Sequence, residues 1–104
     1  MPSQRKRLPP IHPGQILRED LQDAGISLNQ LARDLRVPMN RISAIVNGKR
    51  SITADTAMRL ARYFGTSVQM WMNLQSHYEM EVARDRFEAA IRKEVKPRPT
   101  GVAA

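Results

Sequence analysis

Apolar residues recur at helical spacing along most of this chain, and no segment shows the alternation of a strand. The clearest stripe has apolar residues at positions i, i+3, i+4 and i+7, namely Leu28, Leu31, Ala32 and Leu35. Comparable stripes precede and follow it, separated by breaks that contain glycine or proline. The pattern predicts an all-α chain of five helices, the last of which is extended.

Capping residues set the expected starts and ends of the first two helices. Pro13 begins the first helix, where its missing N–H costs nothing, and Gly25 suits the position just past the end. Ser27 and Gln30 form an S-x-x-Q capping box at the start of the second helix. These signals predict two short helices in succession.

A break at residues 36–38 separates the second helix from a third, predicted over residues 38–47. Thr53 is the expected N-cap of a fourth helix, and Asp55 suits its first turn because the helix dipole favours an acid there. Ser67 is the expected N-cap of the fifth helix.

The fifth helix carries two apolar stripes, and the second lies on an otherwise charged segment. The first comprises Val68, Trp71, Leu74 and Tyr78, and the second Met80, Ala83, Phe87, Ile91 and Val95. An apolar stripe of this size must be buried, either within the chain or at a seam between two copies, with a contact to another protein as the third option. The predicted packing or dimer residues are Trp71, Leu74, Tyr78, Phe87 and Ile91.

The charge is strongly basic and unevenly distributed. The net charge is +7 over 104 residues, and residues 36–50 hold four basic side chains and no acid. Most of the basic residues are arginine, whose bidentate donor fork suits phosphates and base edges. A polyanion is therefore the expected partner.

Several classes of protein are disfavoured. The absence of cysteine excludes disulfides, thiolate metal sites and a cysteine nucleophile. We find no paired acids with a base, no glycine-rich phosphate loop and no metal-ligand cluster, so no catalytic residue, metal or cofactor is expected. No apolar run is long enough to span a bilayer and no signal peptide is evident, which favours a cytoplasmic protein without a membrane partner.

Two short helices joined by a three-residue break form a candidate helix-turn-helix. In this motif the first helix crosses the phosphate backbone and the second lies in the major groove of double-stranded DNA. The predicted third helix carries amide and small residues, one arginine and no acid on its polar face. A module that bound only protein would not require such an acid-free helix.

Several motifs resemble the HigA-type (VapI-like) antitoxins of the lambda-repressor-like (XRE) helix-turn-helix superfamily. They span most of residues 10–83: IHPGQIL from Ile11, NRIS from Asn40, VNGKR from Val46, ITADTA from Ile52, LARYFGT from Leu60 and WMNLQ from Trp71. The resemblance implies a homodimer that binds an operator before its own operon and neutralises a HigB-type toxin, a RelE-like mRNA endonuclease. A solitary Cro-like repressor without a toxin is the alternative.

The resemblance also assigns roles to positions. The positions that contact bases in the superfamily hold Met39, Asn40, Arg41 and Ala44. The positions that contact the DNA backbone hold Ser27, Asn29, Ser43, Asn47, Lys49 and Arg50. Asn40 suits adenine and Arg41 suits guanine, each with about 1–3 kcal/mol of discrimination.

This chain departs from the superfamily pattern at three positions in and around the motif. Arg36 stands where the turn usually has glycine, a position that favours positive φ, at a cost of about 1 kcal/mol unless it adds a phosphate contact. Leu28 and Met39 stand where glutamine is common, which favours indirect over direct readout.

The expected organisation has four parts. They are a flexible basic arm over residues 1–11, a helix-turn-helix domain over 12–66, a C-terminal helix over 67–96 and a disordered tail over 97–104. The basic group of the arm, residues 5–7, is interpreted as a solvated tail, with a minor-groove or toxin contact as the alternative.

Overall fold

A computed structural model describes residues 8–99, and within them the chain is entirely helical, without a strand. The five helices are α1 (Pro13–Ala24), α2 (Leu28–Leu35), α3 (Met39–Val46), α4 (Ala54–Phe64) and α5 (Val68–Glu94). The all-α, five-helix prediction is confirmed. The basic group at residues 5–7 and the last part of the predicted tail, residues 100–104, lie outside the described residues.

Side chains cap three of the helix N-termini. The His12 Nδ1 atom accepts a hydrogen bond from the Gly14 N–H at 2.9 Å, at the start of α1. Ser27 Oγ accepts from the Gln30 N–H at 3.1 Å, and Ser67 Oγ accepts from Met70 N–H at 2.9 Å. Each cap satisfies a backbone donor that the helix itself leaves without an acceptor.

The starts of α3 and α4 differ in detail from the sequence expectation. Pro38 precedes α3 in an extended conformation (φ −62°, ψ 144°), so the helix begins one residue later than predicted. Thr53 occupies the N-cap position of α4 as predicted, but its side chain makes no capping hydrogen bond.

Arg36 ends α2 in the left-handed region, with φ 60°, and is the one non-glycine residue with positive φ among residues 8–99. Its N–H donates to the Arg33 carbonyl at 3.1 Å, and the next N–H, of Val37, donates to Ala32 at 3.0 Å. The expectation of a positive φ in this turn is confirmed.

The core lies between the helices and consists mainly of leucine, isoleucine and alanine. Trp71 is fully buried, and its indole N–H donates to Thr66 Oγ1 at 2.9 Å. The largest fully buried apolar side chains are Leu17, Leu31, Ile42, Ile45, Ile52, Leu60 and Trp71. They come from every helix and from the α3–α4 loop, so one core holds the turn and both of its helices in place.

Helices α1 and α3 are in close contact at Gly14. A Cβ atom at this position would overlap the carbonyl oxygen of Ile45 and lie 2.6 Å from its carbonyl carbon. Only glycine allows the first turn of α1 to approach the backbone of α3 this closely.

Helix α5 packs on the core through its first half and extends away from it through its second. At 27 residues it is about 40 Å long, in a molecule whose longest extent is 54 Å. Beyond Tyr78 the exposed large apolar side chains are Met80, Phe87 and Ile91 on α5 and Val95 directly after it. None of the helices between residues 8 and 99 combines the length and hydrophobicity required to cross a membrane.

Candidate nucleic-acid interface

The turn at residues 36–38 sets α3 across α2 with one face inward and the other outward. Its inward side chains, which include Ile42 and Ile45, are fully buried in the core. Met39 (38% exposed) and Asn40 are exposed at its N-terminus, and Ser43 and Ala44 are partly exposed. An outward, acid-free helix face of this kind can enter a major groove.

Arg41 does not project freely from this face. Its Nη1 atom donates to Asp55 Oδ2 at 2.8 Å, and the side chain is only 23% exposed. Its Nε atom is buried and has no hydrogen-bond partner within the part of the chain described. For Arg41 to contact a base, the guanidinium must leave Asp55 or share its donors with it.

Asp55 has a second arginine partner that the sequence analysis missed. Its Oδ1 atom accepts from Arg59 Nε at 3.1 Å, and Arg59 Nη1 donates to the Leu35 carbonyl at 2.8 Å. Hydrogen bonds from Arg59 and Arg41 hold the pKa of Asp55 below its ordinary value, so the carboxylate stays ionised. Asp55 thus connects α4 directly to α3 and, through Arg59, to the C-terminus of α2, beyond the helix-dipole role assigned from sequence.

Five of the six residues placed at DNA-backbone positions lie on two segments, and the sixth, Ser43, lies on α3. Ser27 and Asn29 are exposed at the N-terminus of α2, and Ser27 Oγ serves as the cap. Asn47, Lys49 and Arg50 are exposed in the loop between α3 and α4. Ser43 lies one turn before this loop, and its Oγ accepts a long, 3.5 Å contact from Asn47 Nδ2.

Arg18 on α1 holds the start of that loop. Its Nη2 atom donates to Asn47 Oδ1 at 2.8 Å and to the Val46 carbonyl at 3.2 Å, at the C-terminus of α3. A cation is favourable there because the last helix carbonyls are partly negative. The sequence carries no signal for this contact, since Arg18 lies on an acidic segment far from the loop.

His12 packs between α5 and the same loop. Its ring meets Tyr78 edge-on, with centroids 4.8 Å apart, and lies next to Gly48. Burial lowers the pKa of His12, an effect that a hydrogen bond with the Arg50 backbone partly offsets. The neutral imidazole can therefore accept the Gly14 N–H at the start of α1. Within residues 8–99, no cluster of His, Asp and Glu side chains could hold a metal ion.

The chain matches the helix-turn-helix family model over residues 17–71. It is 48% identical over 84 residues to virulence-associated protein I of Dichelobacter nodosus, covering 80% of this chain and 78% of that protein.

Two solved structures resemble it over most of its length. An addiction module antidote protein of the HigA family from Coxiella burnetii is 51% identical, with a TM-score of 0.83, covering 88% of this chain and all of that one. The antitoxin HigA of Pseudomonas aeruginosa, solved with the higBA promoter, is 47% identical, with a TM-score of 0.82. That match covers 85% of this chain and 97% of the other.

Proposed function

This chain belongs to the HigA family of helix-turn-helix proteins, and from that premise we propose that it is a sequence-specific DNA-binding antitoxin. In this proposal it represses its own operon and neutralises a HigB-type toxin, a RelE-like mRNA endonuclease, in a type II toxin–antitoxin system. The observation that carries the proposal is the 47% identity, over 85% of the chain, to an antitoxin HigA solved with promoter DNA.

The surface of the molecule supports the DNA-binding part. In the proposed complex α3 lies in the major groove, with Asn40 at its exposed N-terminal end and Arg41 within reach of guanine if it exchanges Asp55 for the base. Met39 and Ala44 supply apolar contacts, for which thymine methyl groups are suitable partners. The N-terminus of α2 and the loop with Lys49 and Arg50 then flank the groove at the phosphates.

A homodimer fits the second half of α5. We infer that a second copy covers its exposed apolar stripe, because the stripe is rimmed by charges of both signs and can therefore face itself. A groove beside this stripe is lined by Met80, Ala83, Arg84, Glu88, Ile91, Arg92, Val95 and Pro97. A two-fold dimer would present two copies of α3 to half-sites about one helical turn, roughly 34 Å, apart.

We expect Lys49→Ala and Arg50→Ala each to weaken binding to all DNA sequences. Each variant removes one phosphate-neutralising charge, so the slope of log K against log salt should become shallower by about one for each copy of the side chain at the DNA. Fluorescence anisotropy titrations between low and moderate salt measure the binding constant and its salt slope. They use DNA from upstream of the protein's own gene and an unrelated duplex.

Arg62→Ala serves as the matched control, because it removes the same charge from an exposed site at the far end of α4. Arg41→Ala should instead change the preference at one base position. Slopes for Lys49→Ala and Arg50→Ala equal to that of the control would refute the phosphate assignment.

The toxin-binding part is tested separately, against the solitary repressor. Tagged protein is recovered from its native host with and without nuclease. A small basic protein that co-purifies under both conditions supports the antitoxin proposal. Recovery of DNA alone, in a salt-sensitive manner, favours the solitary repressor.

A further inference from the structure

Gln75 is a buried polar side chain in the middle of α5, and only 4% of it is exposed. Its Oε1 atom accepts a hydrogen bond from the Ile52 N–H at 2.8 Å. Its Nε2 atom donates to Glu79 Oε2 at 2.9 Å, one turn further along the helix. The amide therefore connects α5 to the backbone of the α3–α4 loop.

The Ile52 N–H requires this acceptor. Ile52 is buried at the end of the loop, just before α4, where no helix carbonyl is in register to receive its N–H. An unpaired buried N–H is costly, so the amide oxygen of Gln75 stabilises one conformation of the segment. A carboxylate can only accept hydrogen bonds, so Glu79 binds the NH₂ group of the Gln75 amide. This orients the amide oxygen of Gln75 toward the Ile52 N–H.

The loop is thus held near both of its ends. Arg18 binds the Val46 carbonyl and Asn47 at the start, and Gln75 binds the Ile52 N–H at the finish. Lys49 and Arg50 lie exposed between these anchored points. A loop ordered in advance loses less conformational entropy when it binds a partner.

We propose that Gln75 is a positioning residue for DNA binding: without touching DNA, it holds the backbone that carries Lys49 and Arg50 against the phosphates. This inference rests on the proposed DNA-binding function. It also makes the core half of α5 part of the DNA-binding apparatus, although the helix lies behind the helix-turn-helix.

The decisive variant is Gln75→Met, which keeps the length and approximate volume of the side chain and removes both hydrogen bonds. We expect faster hydrogen exchange of the Ile52 amide and a loss of operator affinity of about fivefold, the scale of one net hydrogen bond. We also expect a shallower salt slope, because Lys49 and Arg50 neutralise phosphates less completely. Amide exchange by NMR and anisotropy titration of the folded full chain measure these effects.

Gln69→Met is the matched control, since Gln69 lies on α5 and its side chain hydrogen-bonds Asn73 on the same helix, with no bond to another element among residues 8–99. The double variant Gln75→Glu with Glu79→Gln places the carboxylate at position 75 and the amide at position 79. The carboxylate can accept both the Ile52 N–H and the amide NH₂ of position 79, so both hydrogen bonds can form again. Operator affinity should therefore recover to within about twofold of the wild type. A purely structural defect in packing would not be rescued by this exchange.

Glu79→Ala leaves Gln75 in place but frees its amide to rotate, and Glu79 is exposed enough for the chain to fold. It should produce a smaller affinity loss in the same direction, and it tests the inference if Gln75→Met does not fold. Wild-type affinity and slope in Gln75→Met, or in Glu79→Ala if only that variant folds, would overturn the positioning role and leave the proposed function intact. Failure of the wild-type protein to bind its upstream DNA would instead overturn the proposed function, and this role with it.

Discussion

Gly14→Ala should lower the free energy of unfolding by about 3 kcal/mol, at the upper end of what overpacking costs. The added Cβ would overlap the Ile45 carbonyl oxygen. The Cβ is bonded directly to Cα and the carbonyl is part of the backbone, so neither can rotate away as the end of a flexible side chain could. Helix α1 would have to move off α3, which would disturb the buried Leu17 and Ile45.

The result is informative because helix propensity alone predicts that Gly14→Ala raises the free energy of unfolding. Alanine in a helix is favoured over glycine by about 1 kcal/mol, so an α1 without this contact would be stabilised by the change. Urea denaturation followed by circular dichroism, at one fixed protein concentration, measures the difference.

Gln15→Ala is the control, because Gln15 is the exposed neighbour in the same helical turn. Its effect should stay within about 0.5 kcal/mol. Unchanged or increased stability of Gly14→Ala would contradict the close approach of α1 to α3.

Phe87→Glu combined with Ile91→Glu should convert a homodimer into monomers and weaken operator binding about 100-fold, the lower end of the gain from linking two binding sites. The two side chains are 50% and 52% exposed in the single chain, so charges there are tolerated by the fold. In a two-fold seam each substitution occurs in both copies, so four negative charges would be buried in an otherwise apolar contact, which is strongly unfavourable.

Sedimentation equilibrium gives the mass of the variant, and anisotropy titration gives its affinity for the upstream DNA. A double variant matched in net charge, Ala89→Glu with Lys93→Gln, changes the opposite face of the same helix and should remain dimeric. A Phe87→Glu, Ile91→Glu variant that remains dimeric but no longer retains a co-expressed toxin would show that the stripe is a toxin surface. The homodimer seam would then have to lie elsewhere.

The ion pair of Arg41 could not be inferred from its residue type or its position in the sequence. Sequence position assigned it to guanine, and its place on α3 suits that role. The structure pairs it with Asp55 across 14 residues of sequence, leaving Arg41 Nε buried and without a partner in the described chain. Any base contact by Arg41 therefore competes with the ionised carboxylate of Asp55. A guanine offers two acceptors to the guanidinium, so the exchange of Asp55 for a base is favoured only at a guanine.

The helix caps, the turn and the helical periodicity were predictable because each depends on residues only a few positions apart in the sequence. The Ser27 cap reaches an N–H three residues away, and the Arg36 turn follows from where glycine is usual in the motif. Helical periodicity separates inward from outward residues without knowledge of what lies opposite. The order of the five helices and the acid-free outward face of α3 could therefore be written from the sequence alone.

Contacts that orient the candidate site depended on the tertiary structure. Arg18 with Asn47, and Gln75 with Ile52, are 29 and 23 residues apart, and no spacing along the chain links the two members of either pair. The close approach at Gly14 belongs to the same class, since a helical glycine has no local reason to be required. The sequence by itself determined which residues form helices and which side chains lie outward. Only the packing of α1 and α5 around the α3–α4 loop decided how its basic residues are held, because a hydrogen bond depends on distance in space and not along the chain.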